Sequence, residues 1–183
     1  GGRPLEPHTP KEGIARGVAM VMQHFALVPV FTALENIMLG AEPVRGLGVL
    51  DVDAARTRVR AIAKDLGAEL DLDVPVETLG VGDRQRIEIA RALYRDAKLL
   101  ILDEPTAVLT KTEASLLYAM LRRLADAGTG IVVVTHKMDE VRAHADVVTV
   151  MRKGTVLFSR AIERGGDVDD ITKAIMGDGG GTH

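Results

Sequence analysis

The sequence predicts an α/β fold built on a mainly parallel sheet, and three observations carry that expectation. Apolar runs of strand length at Val18–Met22, Leu99–Leu102 and Ile131–Thr135 alternate with longer stretches of helical periodicity. The runs at 99–102 and 131–135 show no polar–apolar alternation, as expected of strands buried on both faces. Strand–helix–strand order implies parallel pairing through right-handed crossovers.

Taken in order, Gly1–Gly13 is punctuated by Pro4, Pro7 and Pro10 and reads as loop or edge-strand material. After the strand at 18–22, Thr32 and Glu35 form a capping box that opens a helix through Leu39. Pro43–Leu50 reads as a glycine-containing loop. Asp51 then caps a longer helix whose Val52, Ala55, Val59, Ile62, Ala63 and Leu66 recur at helical spacing until Gly67 stops it. A turn-rich stretch reaches Gly82, and helical periodicity returns over Arg84–Tyr94.

Beyond the second strand, Thr110 and Glu113 make another capping box. Leu116, Leu117, Met120, Leu121 and Leu124 line one helix face, which Gly128 ends. A short helix is expected over Met138–His144 and strands over Val147–Met151 and Thr155–Phe158, joined by a turn at Arg152–Gly154. A last short helix is expected around Val168–Met176, before the glycines at 179–181.

Length and composition fit one soluble domain: 183 residues with 46% apolar content are enough for a core. A net charge of −3 gives no basic footprint for nucleic acid. The absence of cysteine suits a reducing cytosol and excludes both a disulfide framework and a thiolate metal site. No apolar run approaches the roughly 18 residues a membrane span requires. The start of the sequence has no signal-peptide pattern, so membrane contact is expected only through a protein partner.

The strongest chemical signal is Leu99-Leu100-Ile101-Leu102-Asp103-Glu104-Pro105, an apolar strand ending in two adjacent carboxylates. Open α/β sheets bind ligands at this carboxyl edge. Asp103 can reach a magnesium ion carried by nucleotide phosphates, while Glu104 can orient or deprotonate an attacking water. The next strand delivers His136 to the same edge, where it can donate to a phosphate oxygen or to the carboxylate. Gly80, Val81, Gly82 and Asp83 lie at a loop-to-helix junction, where glycine allows close backbone approach and free N–H groups face an anion. Gln23, just past the first strand, can coordinate magnesium or hold water.

In order and spacing these four elements resemble the ATPases of ABC transporters. Gln23 falls at the family's Q-loop, Leu79–Asp83 at its signature motif, Leu99–Glu104 at its Walker B strand, His136 at its switch histidine and Ala107–Thr110 at its D-loop. The segments MVMQHFALVP, ALENIMLG, VGDRQRIEIARALY, LDEPTAVLT and THKMDEV are similar to importers of simple sugars and nucleosides, where two such ATPase domains are usually fused. The resemblance implies a P-loop NTPase-like parallel core with a helical subdomain. It divides the chain into 1–31 (residual β region and Q-loop), 32–96 (helical subdomain with signature), 97–160 (α/β core) and 161–183 (C-terminal helix and tail).

It also implies ATP and Mg2+ as ligands. Glu104 and His136 become catalytic groups, Asp103 and Gln23 magnesium ligands, and Gly80–Asp83 the surface closing over the nucleotide of a second, head-to-tail ATPase domain. The remaining partners are an integral-membrane permease on the cytoplasmic side of a bacterial cell membrane and, indirectly, a solute-binding protein; nucleic acid is not expected. A P-loop needs Gly-x-x-x-x-Gly-Lys-Ser/Thr, yet no lysine here follows a glycine. The core is therefore expected to be incomplete at its N-terminus, with apolar sheet surface uncovered, weak or no ATP binding by the chain alone, and a tendency to associate. Gly80 also replaces the usual signature serine. Two other readings stand beside this one: a catalytically dead remnant used for docking or regulation, and a soluble ABC ATPase of DNA repair or translation.

Overall fold

The computed structural model describes residues 9–22, 25–166 and 171. The chain divides into two compact units, Gly1–Val134 and Thr135–His183.

The first unit opens with α1 (Pro10–Ala15), where the sequence suggested loop or edge strand. Thr9 caps it by accepting the Glu12 N–H, and Pro10 occupies the first helical position, where a missing N–H costs nothing. Strand β1 (Val18–Val21) follows, then α2 (Ala33–Met38) behind its Thr32–Glu35 capping box. The expected loop at 43–50 is a miniature antiparallel hairpin, β2 (Val44–Arg45) and β3 (Val49–Leu50), joined by a 3₁₀ turn at Gly46–Gly48.

Asp51 caps α3 (Val52–Leu66) by accepting the Ala54 N–H. Ala55, Val59, Ala63 and Leu66 are buried as their spacing requires, whereas Val52 is exposed. Gly67 ends the helix in the left-handed conformation, φ 62°. That φ favours glycine, and the flexible end of the Arg123 side chain fills the space a Cβ would take. Helix α4 (Val81–Tyr94) begins three residues earlier than the periodicity indicated, because Gly80 already acts as its N-cap.

Strand β4 (Leu99–Asp103) leads to α5 (Lys111–Asp126), capped by the Thr110–Glu113 box, and β5 (Gly130–Val134) closes the unit. On α5, Leu117, Met120, Leu121 and Leu124 are buried, but Leu116 faces outward and Tyr118 takes the place expected of it. The three main strands form one parallel sheet in the order β1-β4-β5, with Val21 opposite Leu102 and Asp103 opposite Val134. This is the α/β architecture that the strand–helix alternation predicted.

One expectation about the sheet fails. The strands are not buried on both faces: β4 alternates, with Leu100 and Leu102 inaccessible and Leu99, Ile101 and Asp103 half-buried. In β5, Val132 and Val134 remain 44% and 48% exposed. Leu100, Leu102, Ile131 and Val133 pack with α4 and α5 residues into the core, while the opposite face presents Met20, Ile101 and Val132 in register. A strand reads as continuously apolar when both its faces are apolar, whether or not both are covered. The expected uncovered apolar surface is this face.

In the second unit, α6 (Met138–His144) precedes the antiparallel pair β6 (Val147–Arg152) and β7 (Thr155–Ala161). Lys153 and Gly154, both at positive φ, make the two-residue turn. Val150 and Ile171 are buried with Met138, Val148, Phe158 and Ile162 packed around them. Apart from Ile171, the helix expected around 168–176 lies outside the described residues.

Candidate functional site

Asp103 ends β4, and Glu104 turns the chain sharply at φ 46°. A side chain in that left-handed region costs roughly 1–2 kcal/mol, so the surroundings must impose it. The imposing contact is visible: the Glu104 N–H donates to the Val134 carbonyl at 2.9 Å, extending the β4–β5 ladder one residue past the strand. The chain then folds back, with Ala107 N–H donating to the Glu104 carbonyl at 3.1 Å and Thr106 fully buried beneath.

The turn sets Glu104 at a small recess bordered by Met22, Phe25, Gln85, Pro105 and Ala107. Gln23 lies outside the described residues, but the recess is bordered by residues on both sides of it in the sequence. Asp103 shares the sheet face of Ile101, since side chains two apart on a strand point the same way. His136 is exposed and follows the last residue of β5 by two positions, in the second unit. Beside it, Lys137 N–H donates to the Thr135 hydroxyl at 3.1 Å.

The glycine-rich junction is a helix start. Gly80 is the N-cap with φ −65° and ψ 163° and supplies no side-chain cap, while Val81, Gly82 and Asp83 form the first turn of α4. The Asp83 carboxylate pairs with the Arg86 guanidinium at 2.8 Å, and an acidic group there suits the positive end of the helix dipole. A Cβ at Gly80 would meet nothing closer than the Asp83 Oδ2 at 3.9 Å, so the backbone has room for the serine that it replaces. At Gly82 a Cβ would lie 3.3 Å from the Glu113 Oε1, so this glycine lets the start of α5 approach the start of α4. Glu113 is held below its ordinary carboxylate range first by the Thr110 hydroxyl and then by the Thr110 N–H.

Three polar residues on α4 escaped the sequence reading. Gln85 is buried and donates its side-chain amide to the Pro105 carbonyl at 2.8 Å. Glu88, 6% exposed, accepts the Ala26 N–H at 2.9 Å, and Arg91 donates to the Ala26 carbonyl at 2.7 Å. Asn36 of α2 is fully buried and accepts the Val28 N–H at 2.7 Å. The available signal was Gln85, Glu88 and Arg91 recurring every third position around the apolar Ile87, Ile89 and Ala90; charge on a helix usually means a solvated face instead.

Among the described residues, no three His, Asp or Glu side chains are grouped to hold a metal ion. The donor set fits Mg2+ that arrives on phosphate oxygens and takes only one or two protein ligands, a role Asp103 can fill from the strand end.

A model of the ABC transporter family matches residues 2–107. The chain belongs to the ABC transporter family. Glucose import ATP-binding protein TsgD13 of Haloferax volcanii is 42% identical over 180 residues, spanning 84% of this chain and 33% of its own length. Nucleoside import ATP-binding protein NupA of Lactococcus lactis subsp. cremoris is 42% identical over 80% of this chain and 29% of its own. Ribose import ATP-binding protein RbsA of Hahella chejuensis is 37% identical over 96% and 35%. The chain thus spans about a third of the length of these curated relatives.

Among solved structures, cbiO1 from Clostridium perfringens, part of the ABC transporter complex cbiONQ, superposes with a TM-score of 0.67 at 27% identity. That match covers 88% of this chain and 62% of cbiO1. The ATP-binding cassette MJ0796, a dimer in a post-hydrolysis state bound to ADP and Pi, has the same fold: TM-score 0.67, 24% identity, 86% of this chain and 69% of that one. The α/β, P-loop NTPase-like fold of ABC ATPases is therefore the fold of this chain.

Proposed function

We propose that this chain is the later part of an ATP-hydrolysing domain of an importer for simple sugars or nucleosides, powering uptake through a membrane permease. The observation that carries the proposal is the recess in which Glu104, on a left-handed turn past β4, adjoins Met22 and Phe25, the flanks of Gln23. Two loops that leave adjacent parallel strands at their carboxyl ends thereby border one spot. The names of relatives such as TsgD13, NupA and RbsA support the solute class.

In this reading ATP is held between two head-to-tail ATPase domains, an arrangement for which the MJ0796 dimer is the structural precedent. Glu104 orients and deprotonates the attacking water, and His136 senses the γ-phosphate. Gly80–Asp83 closes over the nucleotide of the opposite domain through the free N–H groups at the start of α4. Asp103 and Gln23 are the magnesium ligands; the ion, when bound, neutralises charge developing on the phosphates. Residues 32–96 form the helical subdomain, and the surface near Gln23 meets the permease at the cytoplasmic face of the membrane. A solute-binding protein acts upstream of the permease.

The 183 residues contain no glycine–lysine pair, so the phosphate cradle is supplied by sequence outside them. The chain alone then binds ATP weakly, and hydrolysis requires a longer protein that carries a P-loop. The test is Glu104→Gln in such a protein. ATP turnover should fall by roughly 10²–10⁴-fold, the usual range for losing a general base, with nucleotide binding retained. Undiminished turnover would sink the assignment.

A further inference from the structure

Helix α4 carries a polar stripe that no part of the proposed chemistry uses directly. Gln85, Glu88 and Arg91 are spaced three apart, which keeps them on neighbouring turns of one helix face. Each hydrogen-bonds the backbone of a loop, and Arg91 also pairs with the Glu88 carboxylate at 3.7 Å. Gln85 holds the Pro105 carbonyl at 2.8 Å, on the loop that follows β4. Glu88 and Arg91 grip both ends of the Ala26 residue, its N–H at 2.9 Å and its carbonyl at 2.7 Å, on the loop that follows β1.

Strands β1 and β4 are adjacent and parallel, so these loops emerge side by side. One straps the chain directly after Glu104, the other the chain three residues after Gln23. Packing does not call for this arrangement: burying a carboxylate is expensive, and a leucine at 88 would suit a core lined by Ile87 and Ile89. We infer that Gln85, Glu88 and Arg91 are positioning residues. They form a bracket that holds Ala26, three residues after Gln23, at a fixed distance from Pro105, the residue directly after Glu104.

This inference rests on the reading of Glu104 and Gln23 given above, but its mechanical half is testable without ATP. In the 183-residue chain, amide hydrogen exchange at Ala26 reports the Glu88 bond directly. Glu88→Leu should speed exchange at Ala26 by roughly tenfold or more while β4 amides keep their rate, and Glu88→Gln, which retains an acceptor oxygen, should restore protection. Arg91→Ala, at a less buried position, should loosen Ala26 in the same way, and it decides the matter if Glu88→Leu fails to fold. Unchanged exchange at Ala26 in the folded variants overturns the bracket.

In a longer, P-loop-bearing protein, Arg91→Ala should lower kcat several-fold and leave KM for ATP nearly unchanged, with partial recovery in Arg91→Lys. An unchanged kcat overturns the positioning role. The two readings fail separately: if Ala26 loosens as expected yet Glu104→Gln leaves turnover intact, the bracket stands and the catalytic assignment falls.

Discussion

The side-chain amide of Gln85 donates to the backbone carbonyl of Pro105 at 2.8 Å, in a spot where Gln85 is only 4% exposed. The bond ties the second turn of α4 to the residue directly after Glu104, so the helix that starts at the signature glycines also anchors the carboxylate turn. Removing the donor leaves a carbonyl without its partner in a dry environment, which costs about 1–3 kcal/mol. Gln85→Leu should therefore lower unfolding stability by about that amount in a denaturant titration. A change below about 0.5 kcal/mol would mean that the Pro105 carbonyl finds another donor.

Glu104 occupies a left-handed backbone conformation that glycine adopts freely. Glu104→Gly should lose catalysis in a P-loop-bearing protein yet match or exceed the parent in stability, by up to about 1 kcal/mol. Glu104→Ala, which keeps the strained φ, should show no such gain. Thermal melting of the two variants checks the contrast. If alanine and glycine behave alike, the turn is not strained.

The open sheet face sets an expectation about association. Met20 is 52% and Val132 44% exposed, on neighbouring faces of adjacent β-rungs that register through Ile101. Apolar surface of this kind drives self-association unless something covers it. Val132→Lys should weaken concentration-dependent oligomerisation in light scattering by at least about tenfold while changing monomer stability little, as expected of an exposed position. If the parent chain is monomeric at high concentration, that reading of the face is wrong.

The two capping boxes give the stability a pH dependence. Thr32 holds the Glu35 carboxyl, chiefly through its backbone N–H, below the ordinary value of 4.5, and Thr110 does the same for Glu113, chiefly through its hydroxyl. Both groups bind protons more weakly when folded than when unfolded. Their contribution is therefore complete above pH 4.5 and is lost as pH falls through their lower folded values. Unfolding stability measured from pH 6 downward should decline over that interval, and the decline should shrink in Glu35→Gln/Glu113→Gln, whose amides do not titrate. A double variant with the parent's acid profile would remove the caps as the cause.

Local chemistry was legible wherever a few neighbouring residues decide the outcome. Both capping boxes, the Asp51 cap and the Gly67 stop stand where the sequence puts them, because each needs only residues within one helical turn. Helix α1 was missed although Pro10 sat at its first position, since three prolines in thirteen residues outweighed one good signal. The early start of α4 was missed because Val81, Gly82 and Asp83 are weak helix formers taken singly.

What the sequence determined by itself was the order of the main strands and helices from β1 onward, the ends of most of those helices, and the adjacent pair Asp103–Glu104 at a strand terminus. These follow from short-range periodicity and from backbone conformations that a single residue can set. Only the tertiary structure decided which sheet face is covered, that β1 lies beside β4, and that Gln85, Glu88 and Arg91 fasten two loops at once. Those outcomes depend on residues far apart in the chain, such as Val18 beside Leu99 and Arg91 on Ala26. No local pattern records which backbone atom a buried side chain will meet.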